Sequence, residues 1–215
     1  MDKYLEAIYV LGGEGQSVIG ARIAEYLGVT PPTVTQTLKR LEREGYIQIS
    51  AEKEISLTEK GMEASESIVR KHRLIERFLA DMLGFDWVTA HEEAGNLEHA
   101  ISPRVEQRLF EVLNHPTTCP HGNPIPGTAW QEAPGGRPLD ECQPGDRVVI
   151  NRILEHVEDI RPLLEFLDQR GLVPGADLEV LDMNPYAGGV RLRVNDDQEI
   201  TLAMETASKI WVAPR

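Results

Sequence analysis

The sequence predicts a mainly α-helical protein with a β-rich C-terminal domain. Apolar residues recur at helical spacing in the front of the chain, whereas short alternating apolar runs separated by turn residues follow at the back. Between them, half of the 14 prolines fall from Pro116 to Pro144, which excludes regular helix and central strand there. We predict a head at 1–64, a helical domain at 65–115, a proline-rich linker at 116–145 and a β-domain at 146–215.

The head has the order helix, helix, tight turn, helix and hairpin. Thr30 followed by Pro31 is a helix-start signal, and Gly45 ends the helix that follows. The predicted elements are helices at 3–12, 19–27 and 31–45 and a hairpin with strands at 47–49 and 55–57. This order is typical of a winged helix-turn-helix, in which the second helix of the motif lies in the DNA major groove.

The helix that begins after Thr30 is the predicted DNA-reading element. Gln36 matches the bidentate pattern of an adenine edge, and proline or threonine methyl groups suit thymine methyl groups. Nearby basic side chains are placed to reach phosphates and set the register. A capped surface helix is the alternative, but five successive features of the head agree with DNA reading. The predicted DNA-binding residues are Arg22, Thr30, Pro32, Thr33, Thr35, Gln36, Lys39, Arg40 and Arg43.

The charge of the chain restricts how it could bind DNA. The formal net charge is −13, and the first 64 residues hold 7 basic and 10 acidic side chains. DNA phosphates attract lysine and arginine, so binding requires a local basic face on an acidic protein. Two cysteines exclude a disulfide framework, and no apolar run is long enough to cross a bilayer. We expect a cytoplasmic protein without a membrane partner.

The rest of the chain divides into long helices and short strands. Apolar residues recur at helical spacing from Glu59 to about Gly84 and again from Val88 to Val112. Behind the linker we predict a strand at 147–154, a helix at 160–171 and short strands near 177–181, 190–194 and 199–204. Short strands in a compact unit are typical of an SH3-like β-barrel.

Three histidines indicate a metal site. His72 and Glu76 are four residues apart and share a helical face. His91 and Glu98 are seven residues apart and also share a face, with His99 adjacent. Imidazole and carboxylate without thiolate suit divalent ions such as Mn²⁺, Fe²⁺ or Zn²⁺. Solvated helix faces are the alternative, and two such faces in consecutive helices count against it.

Four segments resemble the DtxR/IdeR/MntR family of iron- and manganese-dependent repressors: ARIAEYLGVTPPTVTQTLKRLEREG, RKHRLIERFL, HEEAGNLEHA and HGNPIPG. The resemblance covers essentially the whole chain. It implies a helical dimerisation domain, a FeoA-like barrel and a homodimer that binds two divalent ions per chain, Fe²⁺ or Mn²⁺. Such a dimer would bind inverted-repeat operators of metal-uptake genes on double-stranded DNA, without any catalytic activity.

Site residues follow from the resemblance position by position. The family's primary site falls on Glu98 and His99, with Glu6 matching a ligand of the manganese-sensing branch. Two further primary-site positions fall on Lys3 and Gly95, which supply no side-chain ligand. An anion contact falls on Arg73 and Asn123. The family's ancillary site falls on His72, Glu76, His91, Glu155 and Glu158.

Three other functions compete with this interpretation. A hydrolytic zinc site would need His-Glu-x-x-His, and Gly95 stands where the second histidine belongs. A ferrous-transport accessory protein would share the small barrel but has no use for a recognition helix. A winged-helix regulator with only a structural metal stays open. Cys119 and His121, which flank Pro120, are interpreted as residues of an ordered linker rather than as zinc ligands.

Overall fold

The structure is a computed structural model, and it describes residues 1–15, 17–155, 160–184, 186, 188–195 and 198–215. The head has the predicted winged-helix order. Its elements are α1 (Asp2–Gly13), α2 (Gly20–Tyr26), α3 (Pro31–Arg43), β1 (Ile47–Ile49) and β2 (Ile55–Leu57). The two strands pair antiparallel, with Ile47 opposite Leu57.

The head is held together by an apolar core between its helices and hairpin. Ile23, Leu41 and Ile47 are almost fully buried in it. Thr30 precedes α3 in extended conformation, and Pro31 occupies the first turn, where its missing N–H costs no helical hydrogen bond. Only one face of α3 enters the core, through Val34, Leu38 and Leu41. The opposite face is therefore left to solvent.

Three helices form the middle of the chain: α4 (Glu59–Leu83), α5 (Trp87–Leu97) and α6 (Pro103–Val112). The Ser65 hydroxyl donates to the Leu5 carbonyl at 3.2 Å and joins α4 to α1. The helical spacing predicted from Val88 to Val112 is divided between α5 and α6. Ser102 caps α6 by accepting from the Val105 N–H, and Pro103 disfavours helix at the residue before it.

The C-terminal domain is a six-stranded antiparallel sheet in the order β3-β8-β4-β5-β6-β7. Its elements are β3 (Arg137–Pro138), β4 (Arg147–Ile153), α7 (Ile160–Asp168), β5 (Asp177–Asn184), β6 (Gly189–Val194), β7 (Gln198–Leu202), α8 (Met204–Ala207) and β8 (Ile210–Pro214). Strand β3 lies ahead of the predicted boundary at 146, and β8 was not predicted. The fold class is confirmed, although β3 and β7 remain edges of the described sheet.

The domains pack against one another. Trp87 and Val88 at the start of α5 belong to the same buried core as the strands of the C-terminal domain. The start of α5 therefore joins the helical domain to the sheet, next to the residues predicted to bind metal.

None of the helices in the described part of the chain is long and apolar enough to cross a membrane.

Candidate metal centre and DNA-binding surface

Glu76 on α4 lies at the centre of the first group of ligand-type side chains. It is fully buried, and its Oε1 atom lies 3.1 Å from His72 Nε2, 2.7 Å from His91 Nδ1 and 3.4 Å from His121 Nδ1. The sulfur of Cys119 lies 3.8 Å from the same His121 nitrogen. We call His72, Glu76, His91, Cys119 and His121 the Glu76 cluster.

Two buried polar atoms of the Glu76 cluster have no hydrogen-bond partner within the described part of the chain. Glu76 Oε2 is buried and has no hydrogen-bond partner among the described residues, and the same holds for His121 Nε2. Buried polar atoms are almost always satisfied in folded proteins, so such atoms indicate a missing partner. A buried carboxylate with one oxygen among three imidazoles, a thiol beside one of them and a second oxygen without a partner fits a transition-metal ion.

The charges in this cluster are strongly coupled. Burial would raise the pKa of Glu76, but His72 and His121 hold it well below the usual carboxyl range. Burial would lower the pKa of His72, but the charge of Glu76 and hydrogen bonds to Glu76 and Glu98 raise it well above the usual value. Burial raises the pKa of the Cys119 thiol, with Glu76 acting in the same direction.

A second group surrounds Glu98, at the C-terminal end of α5. Glu98 Oε2 lies 2.7 Å from His72 Nδ1, and Oε1 lies 3.3 Å from His99 Nε2. Glu6 on α1 offers a carboxylate oxygen within 4.8 Å of ligand atoms of His72 and Glu98. We call Glu6, His72, Glu98 and His99 the Glu98 cluster. His72 belongs to both clusters, with one ring nitrogen facing each.

The loop ahead of the sheet brings Cys119 and His121 to α4. Gly122 has a φ of 84°, and a β-carbon there would lie 1.9 Å from the Asn151 carbonyl oxygen, so only glycine allows this close approach. The Ile153 N–H donates to the His121 carbonyl at 2.9 Å. The ring of Trp87 stacks on that of His121 at 5.0 Å between centroids. His121 is therefore held from both neighbouring domains, its main chain by the sheet and its ring by the start of α5.

Glu155, predicted as a metal ligand, is instead paired with the two residues predicted to bind an anion. Its Oε2 accepts from Arg73 at 2.9 Å and its Oε1 accepts from Asn123 at 2.9 Å. Arg73 also donates to the Pro124 carbonyl. Burial would raise the pKa of Glu155, but Arg73 lowers it. These bonds tie β4 and the loop to α4. Glu158 lies outside the described residues.

The exposed face of α3 carries the predicted DNA-reading residues. The Thr35 hydroxyl donates to the Pro31 carbonyl at 3.0 Å. Arg40 pairs with Glu44 at 2.8 Å. The exposed residues are Thr30, Pro32, Thr33, Thr35, Gln36, Lys39, Arg40 and Arg43.

Arg22 is placed differently from the other predicted DNA contacts. It is half-buried and lines a cleft of about 640 Å³ between the head and the C-terminal domain, together with Glu14, Asp140 and Trp211. The phosphate contact predicted for Arg22 would require it to reach out of this cleft.

Comparison with known proteins agrees with this geometry along the chain. The family model described as the iron dependent repressor N-terminal DNA binding domain matches residues 1–55. The model for the metal binding and dimerisation domain of the same repressors matches residues 58–127, and a FeoA domain matches residues 137–214.

Relatives and solved structures match over nearly the full length. The iron-dependent repressor IdeR of Mycobacterium tuberculosis is 38% identical over 228 residues, covering 98% of this chain and 95% of that protein. The chain belongs to the iron-dependent repressor family. Among solved structures, a manganese-dependent transcriptional repressor in complex with manganese has a TM-score of 0.89 at 32% identity, covering 100% of this chain and 99% of that one. ScaR with bound Zn²⁺ has a TM-score of 0.84 at 31% identity, covering 100% and 99%.

In this member of the family, most of the predicted metal ligands meet in two groups. The ligand atoms of His72, Glu76 and His91 lie within 4.8 Å of one another, and Glu6 and Glu98 join them through His72. Lys3 is exposed, and a β-carbon at Gly95 would meet open space, so neither position adds a side-chain ligand.

The sequence interpretation missed Cys119 and His121. The sequence predicts an ordered linker without a metal role there, whereas the structure groups both residues with Glu76 within 4.8 Å. The contact is distant in sequence and depends on how the loop folds back onto α4. The available signal was a Cys-Pro-His triplet, with two ligand-type residues directly ahead of the GNPIPG run.

Proposed function

We propose that this chain is a transcriptional repressor that binds double-stranded operator DNA when it carries Mn²⁺ or Fe²⁺. The observation that carries this proposal is Glu76, a buried carboxylate whose Oε1 lies among three imidazoles, one of them beside the Cys119 thiol, and whose Oε2 has no partner among the described residues. Its relatives are named iron-dependent and manganese-dependent repressors. The regulated genes would be those of metal uptake, and the chain itself would act by binding rather than by catalysis.

The two clusters would hold metal in different ways. In the Glu98 cluster, Glu6 comes from α1 of the head, His72 from α4, and Glu98 and His99 from the end of α5. In the Glu76 cluster, His72, Glu76 and His91 come from the helices, and Cys119 and His121 from the loop. A bound divalent cation supplies the positive charge that holds these carboxylates together. Glu155 and Glu158 would be further ligands of the ancillary site, with Glu155 exchanging its bond to Arg73 for one to the metal.

Metal binding in the Glu98 cluster would fix the head relative to the helical domain. Glu6 is on the same helix as Leu5, whose carbonyl accepts from Ser65 of α4. Drawing Glu6 towards His72 and Glu98 would set the tilt of α1, against which the rest of the head packs. The position of α3 would then depend on whether metal is bound.

The exposed apolar side chains of α6 support a homodimer. Helix α6 is amphipathic and has no buried residue, and its Val105 and Val112 are 45% and 44% exposed. Apolar patches of this kind mark interaction sites, and the matching family model is a dimerisation domain. A two-fold dimer presents two α3 helices, so its operator would be an inverted repeat. The dimer would bind this operator in the cytoplasm.

Selection from a random DNA library tests this function. Protein stripped with chelator and then supplied with Mn²⁺ or Fe²⁺ should enrich one inverted-repeat sequence, and the same protein kept in chelator should enrich none. Equal enrichment in chelator would instead support a winged-helix regulator with only a structural metal. Absence of enrichment under every condition would contradict DNA binding altogether.

A further inference from the structure

Glu14, the residue that follows the last turn of α1, binds the C-terminal domain. Its Oε1 atom accepts from the main-chain N–H of Glu155 at 2.8 Å, across 141 positions of the chain. Leu11 of α1 and Leu154 are both buried and line the cleft between the same two domains. A carboxylate is disfavoured at a helix C-terminus, because the helix dipole is negative there. The helix itself therefore gives no reason for a glutamate at this position, whereas the contact with Glu155 does.

Glu155 connects all three domains. Its chain belongs to the C-terminal domain, directly after β4. Its buried side chain accepts from Arg73 of α4 and from Asn123 of the loop. Its N–H donates to Glu14 of the head. A change in the position of Glu155 would therefore act on the helical domain and on the head together.

The bond to Glu14 holds α1 at the end opposite its contact with α4. Near the start of α1, the Leu5 carbonyl accepts from Ser65 of α4 at 3.2 Å. Leu5 and Glu14 are nine positions apart, which corresponds to about 13 Å along the helix. Attachments at both ends constrain the tilt of a helix more than an attachment at one end does. Leu5 packs in the same core as Leu38 and Leu41 of α3, so the tilt of α1 determines the position of α3.

We propose that Glu14 is a positioning residue through which metal bound in the Glu76 cluster fixes the recognition helix α3. The inference rests on the proposed function, in which Glu155 becomes a further ligand of that ion. An ion that holds the Glu155 carboxylate also restrains the N–H of the same residue, and Glu14 passes this restraint to α1. The Glu98 cluster acts nearer the start of α1, through Glu6. The two metal centres would thereby act on one helix from opposite ends.

The first test is the operator affinity of full-length protein, measured with saturating Mn²⁺ and in excess chelator. Glu14→Ala should lower the affinity with Mn²⁺ by about fivefold or more, which is the lower end of common coupling between two sites. In chelator the same change should have little effect, because no ion then holds Glu155. Glu14→Gln loses the same charge but keeps an acceptor oxygen, so it should retain most of the affinity. Glu25→Gln is the control for charge alone, since Glu25 is exposed and lines the same cleft, and it should bind like the wild type.

Hydrogen exchange tests the bond itself, because the Glu155 N–H is its donor. With Mn²⁺ bound, the Glu155 amide should exchange faster in Glu14→Ala than in the wild type. The amide of Ile153, which donates to the His121 carbonyl, is the internal control and should exchange at the same rate in both. Faster exchange at both amides would show that the end of β4 has lost its structure, and it would contradict a role limited to positioning. Unchanged exchange at Glu155 would contradict the bond.

The outcomes separate this inference from the proposed function. If Glu14→Ala keeps the wild-type affinity with Mn²⁺, or weakens binding equally with Mn²⁺ and in chelator, the inference is wrong but the metal-dependent repressor stands. Equal losses in Glu14→Ala and Glu14→Gln would assign the effect to charge and would also overturn the inference. If the wild type itself binds the operator equally well with Mn²⁺ and in chelator, the proposed function fails.

Discussion

The buried ion pair between Arg73 and Glu155 should control how firmly the C-terminal domain is docked. Both side chains are less than a tenth exposed, and their 2.9 Å contact joins α4 to the end of β4. Glu155→Gln keeps the shape but leaves the Arg73 charge buried without its counterion. Removing one partner of a buried pair costs about 3–5 kcal/mol. The undocked population should therefore rise by roughly 10²- to 4 × 10³-fold, since each 1.4 kcal/mol is a factor of ten.

Limited proteolysis of chelator-stripped protein measures the undocked population through the rate of cleavage in the proline-rich linker at 116–145. Working without metal separates docking from any role of Glu155 as a ligand. Glu92→Gln is the matched control, because Glu92 also bonds across the domains, to Arg161 at 2.8 Å, but both side chains are about half exposed. Solvent screens that pair, so its loss should hardly change the cleavage rate. Equal cleavage rates for Glu155→Gln and wild type would refute the reasoning.

Three further results are expected. His72→Ala should lose both metal-binding events in calorimetry, whereas Cys119→Ser should weaken only the Glu76-cluster site, and equal effects would contradict the shared role of His72. Metal affinity should increase with pH, because the raised pKa values of His72 and the Cys119 thiol mean that metal binding releases protons. Calorimetry in two buffers of different ionisation enthalpy measures this release, and finding no released protons would disprove the expectation. Gln36→Ala should cost about 1–3 kcal/mol at one base pair of the operator, whereas Arg40→Ala should weaken all sequences and flatten the salt dependence; unchanged footprints for both would contradict the assignment of α3.

The parts of the fold that depend on local pattern were predictable from the sequence. Thr30 and Pro31 mark the start of α3, and the alternation at 47–49 and 55–57 predicts the wing. The break between α5 and α6 was also readable, because Ser102 and Pro103 form a helix-start signal. The apolar residues keep their helical spacing across this break, and for that reason the spacing alone predicts one continuous segment.

Contacts between distant segments were less predictable. The four-residue spacing of His72 and Glu76 determines their shared face, but nothing local shows that Cys119 and His121 fold back onto Glu76. The short strand β8 inserts between β3 and β4, and this pairing is visible only in the assembled sheet. The partner of Glu155 likewise depends on how the domains dock, since Arg73 is 82 residues away along the chain.

The central claim is that metal binding controls DNA binding, and one titration tests it most directly. The affinity of full-length protein for its selected operator is measured by fluorescence anisotropy, once with saturating Mn²⁺ and once in excess chelator at the same ionic strength. Coupling between two sites is commonly about 5–150-fold, and an increase with metal of at least this order is the predicted result. The same increase should disappear in Glu98→Gln. Equal affinity with Mn²⁺ and with chelator would contradict the account.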